Sequence, residues 1–217
     1  MNLSIAKEYL LCGMNEKGNI DSYLSLRQQV CFTCSCLLEL IYEDIISIKD
    51  KKIYIEKDLT ESNIYLLPLY EFIKNSKPMK FEKIVEAYNF STNTKRMKTL
   101  FDRVKNSLIE DGCTVTIEKN TVFGNKTYIK SKDEAKDKVV QKIRAEILET
   151  GKLDNSTIIL VSLLDKSELL KTYFSKYELK CLKERLKEIQ NDSNNQIIKQ
   201  AVDYIDAVFV AVIVSIS

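Results

Sequence analysis

From Asp21 or Ser22 to about Glu43 the chain places Val30, Phe32, Leu37, Leu38, Leu40 and Ile41 so that, wound at 3.6 residues per turn, they cover most of a helix's circumference. A helix with one apolar stripe lies on a surface, whereas one apolar nearly all round must be enclosed by other elements. This segment is the expected centre of the fold. Glycine (5) and proline (2) are scarce in the 217 residues, which leaves few turn signals for an all-β design and no flexible linker. The expectation is a mostly α protein, one compact helical domain over 1–217 with a central buried helix and two short β-hairpins.

The other elements follow from periodicity and punctuation. Ser4 is placed to cap a first helix running to about Met14. Ile45–Ile48 and Ile53–Ile55 flank a charged Lys49–Lys52 turn and predict a first hairpin. The stretch 63–74 predicts a helix whose regular part begins near Pro68. Helices over Met79–Tyr88 and Asn93–Asp111 come next, with Gly112 placed to end the second. Thr114–Ile117 and Thr127–Ile129 alternate in strand fashion around a tip at Lys119–Lys126, a second hairpin. The remainder predicts helices over Asp133–Glu149, Ser156–Phe174, Lys176–Ile189 and Asn195–Ser215. The last is apolar nearly all round from Ala207 to Val214, which points to a buried helix, with membrane insertion or self-association as the alternatives. That run is far below the roughly 20 residues needed to span a bilayer. The opening MNLSIAKEYLL lacks the basic and apolar regions of a secretory signal, so a cytoplasmic location, with room for peripheral membrane association, is expected.

The sequence argues against most catalytic plans. It contains no histidine, which removes the usual general base near neutral pH together with Ser-His-Asp and Cys-His arrangements. Neither Gly-rich phosphate-binding pattern occurs. Carboxylates mostly alternate with lysines, as in KDEAKDK and KERLKEI, the pattern of solvated helix faces. The six cysteines include the cluster Cys31, Cys34 and Cys36 inside the apolar helical pattern, and they are expected to be reduced thiols packing as small hydrophobes. No enzyme activity, cofactor or metal is expected.

Two features point to docking. Lys95–Lys105 reads KRMKTLFDRVK, five basic residues against one acid. Met97, Phe101, Val104 and Leu108 form an inward face, leaving Lys95, Lys98 and Lys105 on one outward flank and Arg96 and Arg103 on another, where phosphate can be held. The second feature is the hairpin tip NTVFGN, which sets the apolar Val122 and Phe123 where polar residues are usual.

In this order, LSIAKEYLLCGMNEKG at 3–18, CLLELIYEDIISI at 36–48, RVKNSLIEDG at 103–112, FSKYELKCLKERLKEI at 174–189 and the closing AVDYIDAVFVAVIVSI resemble the Golgi phosphoprotein 3 family, bacterial members included, over essentially the whole chain. The resemblance implies a single mostly α-helical, non-enzymatic domain. In eukaryotic members it binds phosphatidylinositol 4-phosphate, inserts an apolar hairpin tip into the membrane and gathers the cytosolic tails of glycosyltransferases. The family's headgroup pocket uses a tryptophan and an arginine of the second helix and an Arg-x-x-Arg pair before the second hairpin. Anchored on Leu38–Leu40, the first two positions fall near Leu24, beside Tyr23, and near Thr33; anchored on Leu108–Gly112, the pair falls on Lys98 and Phe101. Only Lys98 keeps a positive charge, and an ammonium lacks the bidentate grip of a guanidinium. Arg27, one turn beyond Tyr23, and Arg103 are the candidates to replace the missing groups.

Three readings result. The first is a peripheral adaptor on an anionic membrane surface, with a phosphoinositide and the cytosolic tails of membrane proteins as candidate partners. The second is a winged-helix-like nucleic-acid binder, suggested by helix, turn, basic helix and hairpin, although the balance of 33 basic and 31 acidic residues argues against it. The third is a homo-oligomeric scaffold joined through the hairpin or the last helix.

Overall fold

A computed structural model describes residues 3–14, 26–90, 95–121, 124–148, 154–191 and 196–213. Its centre is α2 (Leu26–Tyr42), in which every residue from Val30 to Leu40 is buried. Thiols and hydroxyls fit this enclosed position because they are small: Cys31, Cys34, Thr33 and Ser35 are fully buried. The hydroxyls of Ser35 and Thr33 donate to the carbonyls of Phe32 and Gln29 one turn back, so burial strands neither of them.

Ten α-helices occur among the described residues. Around α2 pack α1 (Ile5–Gly13), α4 (Phe81–Asn89), α7 (Asn155–Lys166) and α10 (Gln196–Val208). A 3-10 turn over Glu61–Leu66 leads into α3 (Leu67–Lys74), whose second residue, Pro68, fits the first helical turn where no intrahelical donor is needed. The basic segment forms α5 (Lys95–Glu110), followed by α6 (Asp133–Ile143), a π-helical turn at Arg144–Leu148, α8 (Leu170–Tyr173) and α9 (Lys176–Asn191). The last helix buries Ile198, Ala201, Val202, Ile205 and Val208, and Tyr204 stacks on Phe81 at 5.3 Å. Beyond it Val210 is turned outward, 69% exposed.

Two antiparallel hairpins complete the fold. In β1 (Ile46–Lys49) and β2 (Lys52–Ile55) the two-residue turn Asp50-Lys51 takes positive φ at both positions, matching the strand twist. β3 (Thr114–Thr121) and β4 (Gly124–Ser131) are longer than the sequence alternation suggests, since pairing continues from Thr114↔Ser131 to Thr121↔Gly124. The ribbon is anchored at its base, where Ser131 Oγ donates to Leu11 O at 3.0 Å and Lys132 N–H donates to Cys113 O at 2.9 Å.

Two local expectations are corrected. The segment 156–174 is not one helix. α7 stops at Lys166, where Glu168 adopts a left-handed φ of 64° and the amides of Glu168 and Leu169 fold back on Asp165 O and Leu164 O. The same closing geometry ends α2 at Asp44 and α5 at Gly112. Ser4 does occupy the residue before α1 but makes no cap bond with its side chain. The first turn is instead satisfied from α2: Ala6 N–H donates to Glu39 Oε2 at 2.9 Å, and the Tyr65 hydroxyl donates to Glu39 Oε1 while contacting Ser4 Oγ at 2.6 Å.

Two outcomes follow for stability. Glu39→Ala strands a buried amide and a buried phenol, so it should cost about 3 kcal/mol in urea unfolding. Gly112→Ala meets no atom within 4 Å, so its expected loss of about 1 kcal/mol measures left-handed backbone strain alone.

Candidate functional site

The apolar stripe of α5 seats it on the body. Leu100, Phe101, Val104 and Leu108 are buried, and Phe101 meets Phe32 of α2 edge-on at 5.9 Å. This fixes which way the basic residues point. Lys95, Arg96, Lys98 and Arg103 are all exposed. Among the described residues, Lys98 and Arg103 pair with no carboxylate. Lys105, expected on the Lys98 flank, is spent internally: its Nζ lies 2.8 Å from Asp102 and 5.4 Å from the Phe101 ring centre, and its side chain is 16% exposed.

Lys95 lies at the start of α5, one turn before Lys98. It opens, with Arg96 and Thr99, into a cleft of roughly 490 Å³ between α5 and the C-terminal half of α3. There the Arg96 guanidinium lies 4.9 Å over the Phe72 ring, which in turn packs edge-on against Tyr88 at 5.5 Å. An arginine held on an aromatic face keeps its N–H edge free for an anion. Sequence reading missed this platform because Phe72 lies far from Arg96 along the chain and has no local pattern to announce it.

The remaining sequence candidates divide. Arg27, on the first turn of α2, is drawn to Glu168 in the α7–α8 turn at 3.5 Å rather than to α5. Tyr23, Val122 and Phe123 lie outside the described residues. At two of the three positions that the resemblance aligns with headgroup arginines, this chain has core residues. Thr33 is fully buried and accepts from Asn89 Nδ2 at 3.0 Å, tying α2 to α4, and Phe101 is 7% exposed. The arrangement therefore offers separate cations on a helix surface without an enclosed guanidinium pocket around Thr33 and Lys98.

A second cleft, of roughly 460 Å³, opens beside Ser4, Lys7, Tyr42 and Tyr65. Three of the carboxylates that line it have structural partners. Glu39 holds the first turn of α1, Asp154 accepts from Ser156 N–H at the start of α7 at 2.8 Å, and Asp111 pairs with Lys7 at 2.8 Å. Cys31, Cys34 and Cys36 are equally removed from chemistry, since burial pushes their thiols up and away from the reactive thiolate.

A model of the family described as Golgi phosphoprotein 3 (GPP34) matches residues 5–207. No curated protein matches the chain.

The buried carboxyls give the protein a testable acid response. Desolvation raises the Glu39 carboxyl above its usual 4.5, outweighing the lowering by Tyr65 and Ala6. Desolvation likewise raises Glu8, although Lys142 Nζ lies 3.0 Å from both of its oxygens. A carboxyl raised by folding contributes stability that is fully present below 4.5 and is lost as pH rises through its folded value. Glu178, held down to about 2 by the Arg144 guanidinium and by Ser175, contributes in the opposite sense, above 4.5, and that contribution fades as pH falls toward 2. With no histidine in the chain, thermal unfolding should show a midpoint that climbs as pH is lowered toward 4.5 and drops as pH falls further toward 2. Glu39→Gln should flatten the climb, and an unchanged climb would show that other groups cause it.

Proposed function

The chain belongs to the Golgi phosphoprotein 3 family, and on that footing we propose that it is a peripheral adaptor docking on an anionic membrane surface through the outer face of α5, with the Val122/Phe123 hairpin tip as the apolar contact. The observation that carries this reading is the pair Lys98 and Arg103. Both are exposed, and neither is matched by a carboxylate among the described residues. Basic residues near an anionic leaflet contribute about 1 kcal/mol each, and Arg96, fixed over Phe72, adds a third cation with little ordering cost. No helix among the described residues is long and apolar enough to cross a membrane, which suits attachment from one side.

Recognition on this reading is by charge density rather than by one headgroup. Thr33 and Phe101 are core residues, so a phosphate held at Lys98 lacks the neighbouring guanidinium groups that stereospecific binding of phosphatidylinositol 4-phosphate requires. The attached protein then presents its remaining surface to partners, among which the cytosolic tails of membrane proteins are the class the family suggests.

Vesicle sedimentation tests the proposal. Phosphatidylglycerol vesicles should retain the protein at low salt, with binding weakened at about 0.5 M salt. Joint replacement Lys98→Glu and Arg103→Glu should cost at least about tenfold, and Phe123→Asp should lower the part that resists salt. At matched vesicle charge, phosphatidylinositol 4-phosphate should give no advantage. Binding unaffected by these replacements would defeat the proposal, and retention of random duplex DNA in place of vesicles would favour the nucleic-acid reading instead.

A further inference from the structure

A cavity of roughly 280 Å³ lies where the C-terminal end of α2 meets α7 and α10. Leu38, Ile159 and Ala201, all buried, give it an apolar wall, and Tyr42, Tyr204, Gln200 and Asp44 add polar groups. An apolar hollow with a few polar groups is the make-up of a small-molecule site, and this volume suits a ligand below drug size. Both aromatic side chains are held in place. The Tyr42 hydroxyl donates to Asp154 Oδ1 at 3.3 Å, and the Tyr204 ring stacks on Phe81 at 5.3 Å. No residue of α5 is among the described residues that line the cavity, so it is separate from the basic docking face.

Charge selects the ligand. Asp44 is the one charged residue among the described residues of the lining, and it pairs with no cation among them. It follows the carbonyl end of α2, the negative end of the helix, whose last turn carries no basic residue. Asp44 is also fixed in position. Its φ of 53° is held by its own N–H donating to Ile41 O at 3.0 Å and by Ile45 N–H donating to Leu40 O at 2.9 Å. Glycine makes such a left-handed turn without strain, so the backbone does not account for a carboxylate there. We infer that the cavity binds a small organic cation, an ammonium group on a short apolar body. The ammonium meets Asp44 and the tyrosine rings, whose faces attract cations, and the body rests on Leu38, Ile159 and Ala201. This site is independent of the membrane-docking reading.

Three probes of one shape and different charge test it: cyclohexylmethylammonium, cyclohexylmethanol and cyclohexanecarboxylate. Followed by amide chemical shifts of the full chain, the ammonium should saturate with a Kd of about 1 mM, moving Asp44, Ile159 and Ala201. The alcohol should bind about tenfold more weakly, and the carboxylate should not bind. Asp44→Asn, which tolerates the same backbone, should weaken the ammonium about tenfold at an unchanged melting midpoint. Asp44→Gly should do the same with a midpoint equal to or above that of the native chain, which separates loss of the site from loss of the fold. Tyr204→Phe should retain binding, whereas Tyr204→Leu should weaken it about fivefold. No saturable shift with the ammonium, equal binding of the alcohol, or full binding by Asp44→Asn would each overturn the inference. A lysine blocked at both backbone ends that binds as tightly as the free amine would assign the cavity to a side chain of a partner protein, which also overturns it.

Discussion

A helix buried on every side can carry a charge only where the surrounding elements bring the hydrogen bonds to it, and Glu39 of α2 is the place where this protein meets that demand. Its carboxylate is 2% exposed and receives the first-turn amide of α1 and the phenol of Tyr65. One side chain thus ties three segments to a common point. An unmade bond here would be expensive, and α1, α2 and the 3-10 turn are held in one relative position by that expense. The position of α1 in turn sets the ribbon, whose base is fastened to Leu11 through Ser131.

The distribution of charge follows from the same demand. Near the core, cations are used up: Lys142 on Glu8, Lys7 on Asp111, Arg144 on Glu178 and the Tyr173 carbonyl. On the outer face of α5 they are not, and Lys98 and Arg103 project without acid partners among the described residues. A chain with a formal charge of only +2 can therefore present a locally basic surface, because no carboxylate among the described residues is paired with these two cations. The net charge conceals this and the pairing reveals it.

Much of the architecture was legible because it rests on strong periodic signals. The all-round apolar pattern of Val30–Ile41 located α2, the Met97, Phe101, Val104 and Leu108 spacing gave the inward face of α5, and β-branched alternation found both hairpins. Gly112 announced the end of α5, but Asp44 and Glu168 make the same left-handed turn with residues that do not advertise it, so the break between α7 and α8 could not be seen. The candidate site was legible only in part. Lys98 and Arg103 were placed on the outer surface by helical spacing, whereas the capture of Lys105 by Asp102, the pairing of Arg27 with Glu168 and the seat of Arg96 on Phe72 depend on side-chain geometry or on contacts distant in sequence.

That the ribbon shares few side chains with the core also sets how it moves. A segment fastened at its base and bonded mainly across its own two strands can open and close without disturbing the helices, at a free-energy cost well below that of global unfolding. Its amides beyond the base should therefore exchange with solvent as a separate unit, and those of α2 only with the whole molecule. Mutation is freed in the same way: residues along the ribbon can change with little loss to the fold, so its surface chemistry is able to diverge at a rate that the enclosed helix cannot share.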